Sequence, residues 1–376
     1  MVIGITCYPV AGGSGVVATE LGQQLAARGH QVHFVSYAIP FRLDRYQDNL
    51  MYHGVETTAY PLFKFPPYML TLAAKMAEVT RSYKLDILHM HYAIPHATCA
   101  YLAKQLLVSE NEQPPKIITT LHGTDITLVG SDPSFYDITR FSILASDGVT
   151  AVSQYLADET KEVFKIQREI RVIHNFFDAQ RFRPSSGQCT RSTFAQEDEF
   201  LIAHISNFRP VKRTLDVIDI FARIASELPA KLLLIGEGPD TILARRQVNK
   251  KNLSNRVVFL GNQTRVEAVL PCADLFLLPS EEESFGLAAL EALACGVPVI
   301  GSSGTGLVEV VDDFTDGFLL PVGDTPSMAR AAISLLKNKD RLDQFKKAAA
   351  DLALKKFAAD NIVPLYERYY EEVLGG

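Results

Sequence analysis

"LFLLPSEEESFGLAALEALACGVPVIG", residues 275–301, decides the fold. It opens as an apolar run that stops at Pro279 and breaks on the polar residues Ser280 to Ser284. It resumes with helical spacing from 285 to 295 and closes on a second apolar run, 297–301. A strand, a helix and a second strand in so short a span return the chain to the same sheet as a parallel neighbour. The same rhythm extends in both directions. Upstream, strands are predicted at 200–206, 231–236 and 257–260, with helices at 214–227, 241–252 and 264–271. Further upstream lie strands at 2–7, 32–35, 87–91, 117–121, 149–152 and 170–173, separated by helices at 15–28, 68–83, 95–108, 134–145 and 154–164. Between 178 and 199 the pattern lapses into polar residues with Pro184 and Gly187. The chain therefore reads as α/β, with two Rossmann-like doubly wound domains: 1–173, joined by a C-terminal helix 357–376 carrying "YERYYEEV", and 174–356. In such sheets ligands bind at the carboxyl ends of the strands, so two of these domains facing each other would hold their chemistry in a cleft, just after strands.

Bulk properties exclude several function classes. The 376 residues are too many for one ordinary core, and 47% hydrophobic content can fill two. The net charge of -6 disfavours a nucleic-acid partner, which wants a basic surface. No apolar run approaches the roughly 20 residues of a membrane span, so no membrane insertion is expected. Strand patterning begins at the first residues, without a charged n-region or cleavage site, so no secretory leader is expected. The cysteines (Cys7, Cys99, Cys189, Cys272, Cys295) are scattered, with no C-x-x-C. They are expected to be reduced thiols in a cytoplasmic protein.

Near the N-terminus, "TCYPVAGGSGVVATELG" places Gly13, Gly15 and Ala18 in G-x-G-x-x-A spacing, a dinucleotide-binding fingerprint. Its context is wrong for that role. Tyr8 to Ala11 separate the strand from the glycines, and the second strand ends "HFVSYAIPF" with no acidic residue for a ribose. What remains is a loop of small residues at a helix N-terminus, able to approach an anion closely.

The stronger signal is the E-x7-E pair of the opening stretch, Glu283 just before the helix and Glu291 within it. Eight helical residues rise about 12 Å, so the two carboxylates would grip separate parts of an extended ligand. Carboxylates accept hydrogen bonds from vicinal hydroxyls, which makes a sugar and a ribose natural targets. The amides of Phe285, Gly286 and Leu287, at the positive end of the helix, suit phosphate oxygens. Glu281 and Glu282 read as a solvated acidic run.

"ESFGLAALEALACGVPVI" resembles the signature of the retaining, nucleotide-sugar-dependent glycosyltransferases of family four, which have the GT-B fold. "LIGEGP" (234–239), "VVFLGNQ" (257–263) and "IHNFFD" (173–178) match other landmarks of that family, in order, so the resemblance spans essentially the whole chain. It implies that Glu283 binds donor-sugar hydroxyls, that Glu291 binds the ribose, and that backbone at Asn262 meets the base. In "SNFRPVKR" it implies that Lys212 and Arg209 neutralise the diphosphate. The family's usual arginine position holds Asn207, and Arg209 stands nearby. With no Asp-x-Asp in the chain, these cations would replace a metal, and no cofactor is expected. No carboxylate nucleophile is evident on the acceptor side. The resemblance instead implies front-face attack, the departing phosphate taking the acceptor proton, with His122 of "TTLHGTDIT" near the donor sugar. His89 and His91 read as structural.

"HMHYAIPHA" (89–97) and "LHGTDITLVG" (121–130), together with the glycine loop, resemble members of the family that join GlcNAc from UDP-GlcNAc to the hydroxyl of L-malate, opening bacillithiol biosynthesis. That resemblance implies a bidentate contact from Arg140 to a malate carboxylate, with Ser14, Tyr92 and Thr120 on the other side. Gly13 and Gly15 would let the loop approach the donor phosphate. Another small anionic acceptor, or a UDP-sugar epimerase on the same fold, stays open at this point, as does assembly into a homo-oligomer.

Overall fold

The computed structural model describes residues 1–10, 12–43, 47–57, 62, 64–127, 129–130, 132–184 and 191–376. The chain divides into two compact units, Met1–Asn175 with Asp360–Gly376, and Phe176–Ala359.

The first unit runs β1 (Val2–Thr6), α1 (Gly13–Ala27), β2 (Gln31–Ser36), β3 (Leu50–Gly54), α2 (Tyr68–Tyr83), β4 (Ile87–His91), α3 (Thr98–Ser109), β5 (Lys116–Leu121), α4 (Thr124–Thr127), α5 (Tyr136–Ala145), β6 (Gly148–Ala151), α6 (Gln154–Phe164) and β7 (Arg171–Val172). The second runs β8 (Phe200–Ile205), α7 (Thr214–Glu227), β9 (Ala230–Ile235), α8 (Thr241–Lys250), β10 (Val257–Gly261), β11 (Leu275–Leu278), α9 (Leu287–Ala294), β12 (Val299–Ser302), β13 (Gly317–Leu320), α10 (Thr325–Leu336) and α11 (Lys339–Phe357). Helix α12 (Ala359–Gly375) ends the chain.

Each unit has one parallel sheet. Strand order is β3-β2-β1-β4-β5-β6-β7 in the first and β10-β9-β8-β11-β12-β13 in the second. The strand order therefore reverses between β1 and β4, and again between β8 and β11. At such switch points the flanking loops diverge and leave room for a ligand.

Buried, apolar strands explain the parallel pairing. Ile87 to His91 of β4 are all buried, as are Leu275 to Leu278 of β11. Helix α7 shows the complementary pattern. Val217, Ile218, Ile220, Phe221 and Ile224 form one buried stripe, which packs with α10 over the second sheet. Helix α12 returns to the first unit, where Tyr366 and Tyr370 are fully buried and the Tyr370 hydroxyl meets His89 Nδ1 at 2.7 Å.

Several expectations are corrected. Residues 264–271 form no α-helix. Two single 3-10 turns, Val266–Ala268 and Leu270–Cys272, take their place, because Pro271 has no amide to donate to a helical ladder. The helix expected from residue 95 begins at Thr98, after a wide turn at Ala93–Ala97. Cys7, Cys99 and Cys295 are free and buried, but Cys272 is disulfide-bonded, against the expectation of reduced thiols throughout. Cys189 and Gly187 lie outside the described residues.

Candidate functional site

The glycine loop of the first unit is the first turn of α1. The helix starts at Gly13, two residues earlier than expected, with Gly12 as its extended N-cap. The amides of Gly13, Ser14 and Gly15 therefore form the open end of a helix. Gly15 is required by close approach: a Cβ there would stand 2.5 Å from the Tyr8 carbonyl oxygen and 2.8 Å from that of Val10. Ser14 is half-buried beside it.

Across the switch point, Tyr92 follows β4 with φ 104°, an outlier for so bulky a residue. Its amide donates to the Thr120 carbonyl at 3.1 Å. Its ring lies near that of His122, centroids 5.8 Å apart and 22° from parallel. On the other side the His91 and His122 rings stack at 5.1 Å, and His91 Nδ1 and His122 Nε2 share a hydrogen bond of 2.9 Å. Tyr8 completes the group, edge-on to Tyr92 at 5.2 Å. Burial holds the imidazoles neutral: His122 and His89 are pushed down to about 3, His96 to about 4 and His91 well below its usual value. Asp125 is fully buried behind them, and burial pushes its carboxyl up to about 6 against the pull of several backbone amides.

One acceptor-side expectation changes. Thr120 is 0% exposed, and its hydroxyl is held between His89 Nε2 and Thr150 Oγ1, each at 2.7 Å. It is a core residue, with no surface for a substrate. His91, expected to be structural, is 0% exposed and bonded to His122, in keeping with that reading. Arg140, on α5, is half-buried. Its Nε donates to the Phe164 carbonyl at 3.1 Å, which fixes the stem while the guanidinium keeps its Nη amines.

In the second unit, the loops after β8 and β11 carry the expected donor residues. Lys212 Nζ donates to Glu283 Oε1 at 2.8 Å, and Ser280 Oγ donates to the same oxygen at 2.9 Å. Glu281 and Glu282 are exposed. The helical spacing expected to separate Glu283 from Glu291 does not apply, because α9 begins only at Leu287. Glu283 is placed by Lys212 and Ser280 instead. Glu291, on the second turn of α9, is 5% exposed. Gly286 caps the helix with φ 98°, a left-handed conformation that favours glycine. The open amides are thus those of Leu287, Ala288 and Ala289, two residues later than expected, while the Phe285 side chain is in the core. Arg209 and Asn262 are exposed in the loops after β8 and β10. The cations, the carboxylates and the amide cluster can together hold a polyhydroxylated anion.

Ser280, Tyr8 and Asp125 were not expected at the site, and His91 was read as structural. Asp125 had a signal: it is the one acid of the apolar stretch "IITTLHGTDITLV", just after a strand.

Family models match both units: "Glycosyltransferase Family 4" over residues 11–181 and "Glycosyl transferases group 1" over 189–352. The chain is 48% identical to the N-acetyl-alpha-D-glucosaminyl L-malate synthase of Bacillus anthracis, over 99% of this chain and 97% of that one. It is 32% identical to the D-inositol 3-phosphate glycosyltransferase of Mycobacterium marinum, over 48% of this chain and 41% of that one. Among solved structures, HepE from Anabaena, in complex with UDP and glucose, superposes with a TM-score of 0.80 at 18% identity, over 98% of this chain and 99% of that one.

Proposed function

The chain belongs to the family-four glycosyltransferases of GT-B fold, and from that premise we propose that it moves GlcNAc from UDP-GlcNAc to the hydroxyl of L-malate, with retention, as the first step of bacillithiol biosynthesis in the cytoplasm. The observation that carries the chemistry is the cluster at the second switch point: Lys212 on Glu283 at 2.8 Å, next to the open N-terminus of the helix that carries buried Glu291. The choice of acceptor is supported by 48% identity over 99% of the chain to the Bacillus anthracis enzyme, against 32% over 48% of the chain and 26% over 87% for inositol-phosphate enzymes.

In this reading the malate hydroxyl oxygen forms the new bond to the anomeric carbon on the face from which UDP departs. The bond from that carbon to the β-phosphate oxygen breaks, and the departing phosphate takes the hydroxyl proton. Charge building on the leaving group is met by Lys212, Arg209 and the first amides of α9, groups already in place before reaction. Glu283 holds donor-sugar hydroxyls and Glu291 the ribose. His122, neutral at physiological pH, orients the transferred sugar. Arg140 takes a malate carboxylate, with Ser14 and Tyr92 donating to the other. Lys212 and Arg209 supply the positive charge that a metal would otherwise bring.

UDP release from UDP-GlcNAc, measured across an acceptor panel, tests this proposal. Release with L-malate, and little with inositol phosphate or without acceptor, is expected. Release with another acceptor but not malate would overturn the acceptor assignment, and acceptor-free consumption would point to an epimerase.

A further inference from the structure

The Asp125 carboxylate is fully buried and is shared by two loops. Its Oδ1 accepts the amides of His122 at 3.2 Å and Gly123 at 3.0 Å, in the loop after β5. Its Oδ2 accepts the amide of Ala93 at 3.1 Å, in the loop after β4. These amides have a geometric consequence. The N–H of Gly123 belongs to the same planar trans unit as the carbonyl of His122, and the two point in opposite directions. An anion that captures the Gly123 N–H therefore aims the His122 carbonyl away from itself. By the same rule, capture of the Ala93 N–H sets the direction of the Tyr92 carbonyl. Tyr92 holds φ 104°, an uncommon conformation for a bulky residue that needs an external hold, whereas Gly123 takes φ 115° with the freedom of glycine.

From this bridge we propose that Asp125 is a positioning residue of the transfer reaction: it fixes, through two peptides, the residues Tyr92 and His122 that meet acceptor and sugar. This rests on the glycosyltransferase reading above. Asp125 touches no substrate itself. It is worth more than an ordinary buried hydrogen-bond acceptor because a single carboxylate sets the register of two loops on neighbouring strands, β4 and β5, whose backbones are otherwise joined here by the Tyr92 to Thr120 bond. An amide side chain of equal size has only one accepting atom and would face either Ala93 or the His122–Gly123 pair with an N–H.

The test is Asp125→Asn in the full-length enzyme, with kinetics normalised to the folded fraction from circular dichroism and size exclusion. The expected result is a kcat at least tenfold lower and a raised malate KM, with UDP affinity by calorimetry within twofold of wild type, since the nucleotide residues belong to the other unit. Asp125→Glu keeps the charge but moves it outward by a methylene, and it should also lower kcat. It decides the matter if the Asn variant does not fold. Backbone amide exchange in the wild-type enzyme gives a third readout: the amides of Ala93, His122 and Gly123 should exchange slowly. A lower melting temperature with unchanged kcat and KM per folded molecule would overturn the positioning role, as would fast exchange at those amides. Wild-type turnover in the same assay separates the two claims. An inactive wild type would overturn the reaction, whereas an active wild type with an equally active Asn variant would overturn only the role of Asp125.

Discussion

Glu291 and Arg140 make opposite demands on one enzyme, and single substitutions should separate them. A buried carboxylate on the second turn of α9 is well placed to accept both ribose hydroxyls, and hydrogen bonds to a charged group contribute about 1.5–3 kcal/mol. Glu291→Ala is therefore expected to weaken UDP binding by roughly 10- to 150-fold in a calorimetric titration. Arg140→Ala should raise the malate KM by a similar roughly 10- to 150-fold, with UDP binding unchanged. Unchanged malate kinetics would refute the acceptor assignment. The placement of Glu283, Lys212 and His122 in loops just after strands was legible because motif and strand-end position coincide. Thr120 misled for a physical reason. Alternation along a strand places a hydroxyl on one face or the other, but it does not reveal that His89 and Thr150 close over it. The bond from His91 to His122 was opaque for the converse reason, since it joins residues brought together only by the pairing of β4 with β5.

At the scale of elements, the start of α1 is the sharpest case. Its first turn is packed against the Tyr8 and Val10 carbonyls so closely that even a methyl group at Gly15 has no room. Gly15→Ala should lower both the melting temperature and the activity. Gly13→Ala, where a Cβ would meet nothing within 4 Å, should spare the melting temperature. Thermal melts of the two variants side by side check this. Helix α12 depends on contacts as distant in sequence as His89 to Tyr370. Tyr370→Phe leaves His89 Nδ1 unpartnered and should cost about 1–3 kcal/mol in chemical denaturation. The βαβ rhythm of the sequence located most strands and helices. It overlooked β3, whose residues are only half-buried or exposed, and so lack the apolar run that marks an interior strand. It also overran at 264–271, where apolar spacing alone cannot show that two short turns, the second containing Pro271, replace a continuous helix.

For the molecule as a whole, the buried histidines set the pH response. Burial depresses the folded values of His89, His91, His96, His122 and His204 below the usual one, to about 3 for His89 and His122 and about 4 for His96 and His204. Between those values and about 6.5 the unfolded chain binds protons that the folded chain refuses, so stability rises with pH across that window. Asp125 and Asp316, raised to about 6 and about 7, act in the opposite sense but are fewer. The melting temperature should be highest near neutrality and fall steeply from pH 6.5 to 4.5. A flat profile would contradict neutral buried imidazoles. The leaving-group charge is assigned to Lys212 and Arg209, so turnover should survive EDTA. Complete loss restored by Mg²⁺ would contradict that assignment.

The most direct test of the whole account is the product formed from UDP-GlcNAc and L-malate by the purified protein, identified by mass and by the anomeric proton signal in NMR. The account predicts malate carrying a single GlcNAc in α linkage on its hydroxyl, with one UDP released per product. A β-linked product, or no malate adduct while UDP-GlcNAc is consumed, would contradict it.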